Sequence, residues 1–181
     1  MSGMSLRSII RLDIAANRGY PKSVVVLLLF RIAHALRRHP APWSRLLYVP
    51  VVIGYKLVSE WWLGIEIPAA TRIGPGLRLR HGIGVVINPA VIIGSNVMIR
   101  QNVTLGNRLA DDDVPVIGDD VEIGAGAIVI GACNIGAGAL VAAGAVVVKN
   151  VPPRWVAHPA PAEVRPRREV APAADDGNRQ R

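Results

Sequence analysis

From Ile67 onward, aliphatic residues recur every six positions. Ile67, Ile73 and Leu79 open the series, the count slips by two, and it resumes at Ile87, Ile93, Ile99 and Leu105. After a loop it continues through Ile117, Ile123, Val129, Ile135, Val141 and Val147. A second small or aliphatic residue follows many anchors by four positions, as at Val91, Val97, Val103, Val121, Ala127, Cys133, Ala139 and Ala145. Glycine often follows the anchor directly, as at Gly74, Gly94, Gly118 and Gly136. Six is neither the 3.6 of a helix nor the two of a simple strand. It is the period of a parallel β-helix built from hexapeptides, each supplying a short strand and a tight turn. Three hexads close one triangular coil, so the twelve or so present predict about four coils.

Residues 123–148 carry no charge, and hydropathy alone would read them as a membrane span. The six-fold period excludes that, because it runs unbroken through polar stretches such as Ile93-Gly94-Ser95-Asn96-Val97. Ahead of the repeats, residues 5–18 and 21–38 read as helices, the second with Ser23 as cap candidate and Arg37-Arg38 at its basic end. A third apolar stretch, 43–63, contains Pro50. The chain therefore divides into a helical segment 1–63, a β-helix 64–164 and a Pro/Ala/Arg/Asp-rich tail 165–181 expected to be disordered.

Composition sharpens this picture. The chain has 181 residues, 51% hydrophobic but only 4% aromatic, so the core must be filled by Val, Ile, Leu and Ala. One cysteine excludes a disulfide framework and a cysteine-built zinc site. Residues 1–60 hold nine Lys/Arg against two acids, a net of +7, whereas residues 61–181 carry twelve against eleven. The basic character thus belongs to the helical segment. Its cations are interleaved with Val, Leu and Ile and no reader motif is present, which argues against nucleic acid. Peripheral contact of residues 1–60 with an anionic membrane is the alternative to a solvated face. No signal-peptide h-region stands at the start, and the Val24–Phe30 run, seven residues before Arg31, is too short to span a bilayer, so the expected location is cytoplasmic, at or near the inner membrane face.

Several residues narrow the family. The block Leu79-Arg80-His81-Gly82-Ile83-Gly84-Val85-Val86-Ile87, then Val103-Thr104-Leu105-Gly106, then residues 117–127, then Val151-Pro152-Pro153, resembles the serine acetyltransferase group of hexapeptide acyltransferases. Gly64-Ile65-Glu66-Ile67 and Leu105-Gly106-Asn107-Arg108 are more similar to the colanic-acid, or exopolysaccharide, acetyltransferases within it. The resemblance implies a left-handed parallel β-helix that forms homotrimers, and acetyl-CoA as co-substrate with no permanently bound cofactor. It also implies O-acetyl transfer to a hydroxyl.

His81 lies where the hexad count slips, so its segment bulges out of the repeat. With the resemblance, it is the candidate general base, and Glu66, fifteen residues earlier, is its candidate partner across adjacent coils. Coenzyme A would lie between subunits, its arm against Ala125 and Ala143, positions that the family uses in this way. Gly106 is the candidate at the acetyl end, and Lys149 and Arg154 are candidates for the phosphates. Cys133 occupies an inward small-residue register, so a covalent acyl-enzyme is not expected and transfer is direct. His34 and His39 read as surface histidines, His158 has no assigned role, and Asp111-Asp112-Asp113 read as a solvated loop rather than a metal site.

The acceptor is where the sequence departs from serine acetyltransferases. Arg80 precedes the histidine where they carry Asp, and is the candidate acceptor contact here. Asp113-Val114 stand before Pro115 where they carry Arg-His. The expectation is a sugar hydroxyl of an exopolysaccharide unit or its precursor. The alternatives are O-acetylation of L-serine, or a trimeric scaffold without catalysis. Carbonic anhydrase chemistry would need a histidine trio, and the hexad repeats, residues 67–147, offer only His81.

Overall fold

The structure is a computed structural model and describes residues 4–160; the expected tail 165–181 lies outside them. Three α-helices come first: α1 (Leu6–Ala16), α2 (Pro21–Arg38) and α3 (Pro42–Lys56), the last running on into a π-helical segment, Leu57–Trp62. Pro21 and Pro42 each stand at a helix start, where a missing N–H costs nothing. Ser23 is not a cap. It lies inside α2, and its hydroxyl donates to the Leu79 carbonyl at 2.8 Å.

Thirteen short strands follow: β1 (Arg72–Ile73), β2 (Arg78–Arg80), β3 (Val86–Ile87), β4 (Ile92–Ile93), β5 (Met98–Arg100), β6 (Thr104–Gly106), β7 (Val116–Ile117), β8 (Glu122–Ile123), β9 (Ile128–Ile130), β10 (Asn134–Ile135), β11 (Leu140–Val141), β12 (Val146–Val147) and β13 (Val156–Ala157). They form three parallel sheets, the walls of a triangular prism. The first wall is β1-β4-β7-β10, the second β2-β5-β8-β11-β13 and the third β3-β6-β9-β12. Within each wall the anchors are in register, as in Leu79 on Ile99 on Ile123 on Val141. All thirteen anchors expected from the six-residue period are buried. Their neighbours point outward, and on the third wall the outward row is Glu66, Val86, Thr104, Ile128 and Val146.

Coils pack so closely that glycine is required where one crosses another. A Cβ on Gly124 would collide with the Ala143 backbone nitrogen. Only displacement of the neighbouring coil could relieve that contact.

A stacked β-helix has an exposed first rung with unpaired backbone groups. Here the helices cover it with buried polar side chains. Arg31 donates from Nη1 to the Ile73 carbonyl (2.7 Å), from Nη2 to Gly74 (2.6 Å) and from Nε to Asp13 (2.7 Å). Asp13 accepts from the Gly76 and Leu77 amides. Asn17 donates to the Leu77 carbonyl and accepts from the Leu79 amide. Tyr55 donates to the Ile67 carbonyl at 2.6 Å, and His34 Nδ1 donates to that of Ala69 at 2.9 Å. His34 is thus a half-buried structural group rather than a surface histidine. Burial lowers its pKa most; the Ala69 bond opposes this, and Arg38, Arg31 and Arg37 lower it further.

Asp13→Ala strands the Arg31 charge and should destabilise the fold by about 3–5 kcal/mol in urea unfolding. Adding Arg31→Met should recover part of that loss. The unfolded chain protonates His34 more readily than the native state does, so stability should fall as pH drops below about 6.5. His34→Gln should flatten that part of the unfolding-midpoint profile.

Candidate functional site

Leu79 and Ile87 are both buried anchors, yet eight residues separate them instead of six. The two extra residues are absorbed at the edge between the second and third walls. His81 there adopts φ 59°, a left-handed conformation unusual for a residue with a side chain, and its carbonyl accepts from the Ile83 amide. Gly84, also left-handed, donates to the Gly64 carbonyl at 2.7 Å. Tied this way, the segment turns the imidazole outward, where it is exposed. The expectation that His81 leaves the repeat is met by this backbone.

The imidazole faces a cleft of about 470 Å³ lined by Tyr20, Lys22, Ser23, Trp62, Ile65 and Ile83, among others. The Tyr20 ring meets His81 edge-on, with centroids 5.5 Å apart and planes at 80°. On Tyr20 also lies the Arg80 guanidinium, 4.4 Å from the ring centroid, with one nitrogen donating to the Ala16 carbonyl at 3.2 Å. Arg80 is therefore not among the residues lining the cleft. In the single chain it clamps Tyr20, which does line the cleft, to the end of α1.

Glu66 sits beside Val86 on the outer surface of the third wall, its backbone bonded to Val85 and Ile87 on both sides. Glu66 and His81 make no hydrogen bond with each other within the chain. The predicted pairing is thus absent here, because strand alternation points the Glu66 side chain off the wall while the bulge carries His81 to the edge.

The same edge carries a regular ladder above His81. Asn102 donates to Ile83, Gly126 to Gln101 and Gly144 to Ala125, each at 2.9 Å. Asn102, Gly126 and Gly144 all share the left-handed conformation of Gly84. Ala125 and Ala143 therefore stack one coil apart on the edge that holds His81. A Cβ on Gly126 or Gly144 would meet nothing within 4 Å, so this edge is a smooth, open track.

The other expected contacts are elsewhere. Gly106 ends β6 and accepts from Gly131 at 3.1 Å, at the mouth of loop 107–115. Lys149 lies past β12 on the edge leading to the first wall, and Arg154 (φ 62°) on the edge between the first and second walls. Within one chain, Lys149 and Arg154 do not meet the Ala125–Ala143 track. Cys133 is buried, and burial, with Asp113 nearby, raises its thiol pKa. Asp113 is more than a solvated loop residue, since it accepts from the Ala132 and Leu109 amides and pins the loop. His158 borders a different cleft, with Lys149 and Trp155. Tyr20, Lys22 and Trp62 were not expected at the site. The only signal for the two rings was rarity, aromatics being 4% of the chain.

No protein-family model matches the chain. It is 37% identical over 143 residues to a protein of Escherichia coli K12 named as a colanic acid biosynthesis acetyltransferase, WcaB, covering 77% of this chain and 88% of that one. Among solved structures, soybean serine acetyltransferase complexed with serine superposes with a TM-score of 0.72 at 36% identity, over 88% of this chain and 70% of that one. A serine acetyltransferase complexed with CoA gives a TM-score of 0.70 at 27% identity, over 84% and 66%. The prism matches their left-handed parallel β-helix. The chain thus belongs to the hexapeptide-repeat acetyltransferases, in the group that includes WcaB and the serine acetyltransferases.

Proposed function

We propose that this acetyltransferase carries an acetyl group from acetyl-CoA to a saccharide hydroxyl, with His81 as general base. The observation that carries the reading is His81, turned out of the repeat into a cleft at the foot of the Ala125–Ala143 track. The neutral imidazole takes the acceptor proton as that oxygen attacks the thioester carbonyl. The C–S bond breaks, an ester forms, and the imidazolium returns its proton to the leaving thiolate, so the base is regenerated. The track suits a thin, flexible thioester arm, since it offers backbone and small side chains. A buried Cys133 with a raised thiol pKa supports direct transfer rather than an acyl-enzyme.

A saccharide fits the cleft better than serine does. Among the described residues, the lining has no carboxylate to receive an ammonium group, and it presents the aromatic rings of Tyr20 and Trp62. Such rings pack against sugar faces, while the Lys22 cation suits an acidic sugar or a phosphate-linked one. The WcaB relationship points to the same acceptor class.

The working form is a homotrimer. The row Val86, Thr104, Ile128 and Val146 makes one wall apolar, and Val146 is 63% exposed in the single chain. Assembly is also the means by which Lys149, Arg154 and Gly106 of one copy could approach the track of another. Glu66 on that same wall supports the imidazolium formed at His81 once the site is assembled. The enzyme acts in the cytoplasm, at the membrane surface where a polysaccharide precursor would be held; among the described residues no helix is long and apolar enough to cross a membrane.

Thiol release from acetyl-CoA, followed with saccharide acceptors and with L-serine, tests this reading. Turnover should require a saccharide, and rapid turnover with serine would overturn it. His81→Ala should lower kcat by about 10²–10⁴-fold with unchanged unfolding. Glu66→Gln should lower it less, again with unchanged unfolding.

A further inference from the structure

The outer side of α3 and the π-helical segment after it is an apolar face that the fold leaves uncovered. Ser44, Tyr55 and Ser59 mark the inward side and are buried. Opposite them runs a stripe at helical spacing, comprising Trp43, Leu46, Ile53, Leu57 and Trp61, with Trp62 at its end. Leu46 is 79% exposed, Trp61 84% and Trp62 82%. Three of the chain's four tryptophans lie on this one face. Arg37, Arg38, Arg45 and Lys56 are all exposed around it, and the only acid from 14 to 62, Glu60, lies 3.8 Å from Lys56.

We infer that this face docks on an anionic lipid bilayer and presents the His81 cleft to acceptors held in that bilayer. Charge decides between the possible occupants. A second copy of the face would bring the same cations together, whereas anionic headgroups neutralise them. Tryptophan and leucine on one side, with arginine and lysine beside them, is the pattern of a helix lying in the interfacial plane. Continuity with the site gives the face its purpose. Trp62 ends the stripe and also lines the cleft, together with Lys22. A saccharide on a lipid phosphate could keep its tail in the bilayer and bring its sugar to the imidazole. The inference rests on the His81 cleft being the acceptor site and narrows the acceptor to a lipid-linked one.

Flotation of the full chain with vesicles tests it. The protein should float with vesicles of phosphatidylcholine mixed with phosphatidylglycerol, much less with phosphatidylcholine alone, and raised salt should release it. Tryptophan emission should shift to the blue on adding the anionic vesicles. Leu46→Glu with Trp61→Glu should weaken flotation at least about tenfold, each change removing a large apolar anchor. Unfolding, and thiol release with a water-soluble saccharide, should be unchanged. His81→Ala should float like the unaltered protein, so that loss of transfer and loss of docking read separately. Absence of both flotation and the emission shift in the unaltered protein would overturn the inference. So would a double variant that changes the oligomeric state in gel filtration while floating as before, since the face would then join copies of the chain.

Discussion

A buried ion pair between Asp13 and Arg31 holds the two halves of this protein together. Arg31 is committed at three nitrogens and Asp13 at both oxygens, so each charge is surrounded by partners and neither could leave water alone. Their targets are the backbone groups of residues 73–77, which no earlier coil exists to pair. Asn17, Ser23, His34 and Tyr55 complete the seal along the same rung. The helices are therefore the lid of the prism, not an appendage. They also place Tyr20 against His81, so the polar seal and the candidate site share one structural cause.

The prism was legible because its constraint is local and repeated. A six-residue period leaves little freedom, and every anchor it named is buried. His81 was legible for the opposite reason, as an interruption of a regular count. The lid was not. Asp13 and Asn17 look like ordinary polar residues on an amphipathic helix, and no local pattern says that they are 2% and 0% exposed. Their burial follows from how a helix lands on a distant rung, sixty or more residues away for several of these bonds.

The site was legible in part. The edge that carries His81, Ala125 and Ala143 agrees with the spacing of the repeats, since whole coils separate Ala125 from Ala143. Lys149 and Arg154 stand out in the sequence by charge and by closeness to the last coils. A triangular cross-section sends residues five apart to different edges, so closeness along the chain is no guide there. Arg80 is the acceptor contact expected from its place before His81, and in the single chain an aromatic ring and a helix end hold it. Glu66 shows the limit of counting: fifteen residues put it on the right rung, while strand alternation decides where its carboxylate points.

The ladder at that edge works as a ruler. Ile83, Gln101, Ala125 and Ala143 occupy successive rungs, and strands in a parallel sheet are spaced about 4.8 Å apart. Three spacings, roughly 14 Å, separate the first from the last. Gaining or losing three hexads above His81 would change that length by one graduation while leaving the imidazole and its lid untouched. The reach of the track is thereby uncoupled from the chemistry at its foot, and each can be altered without disturbing the other.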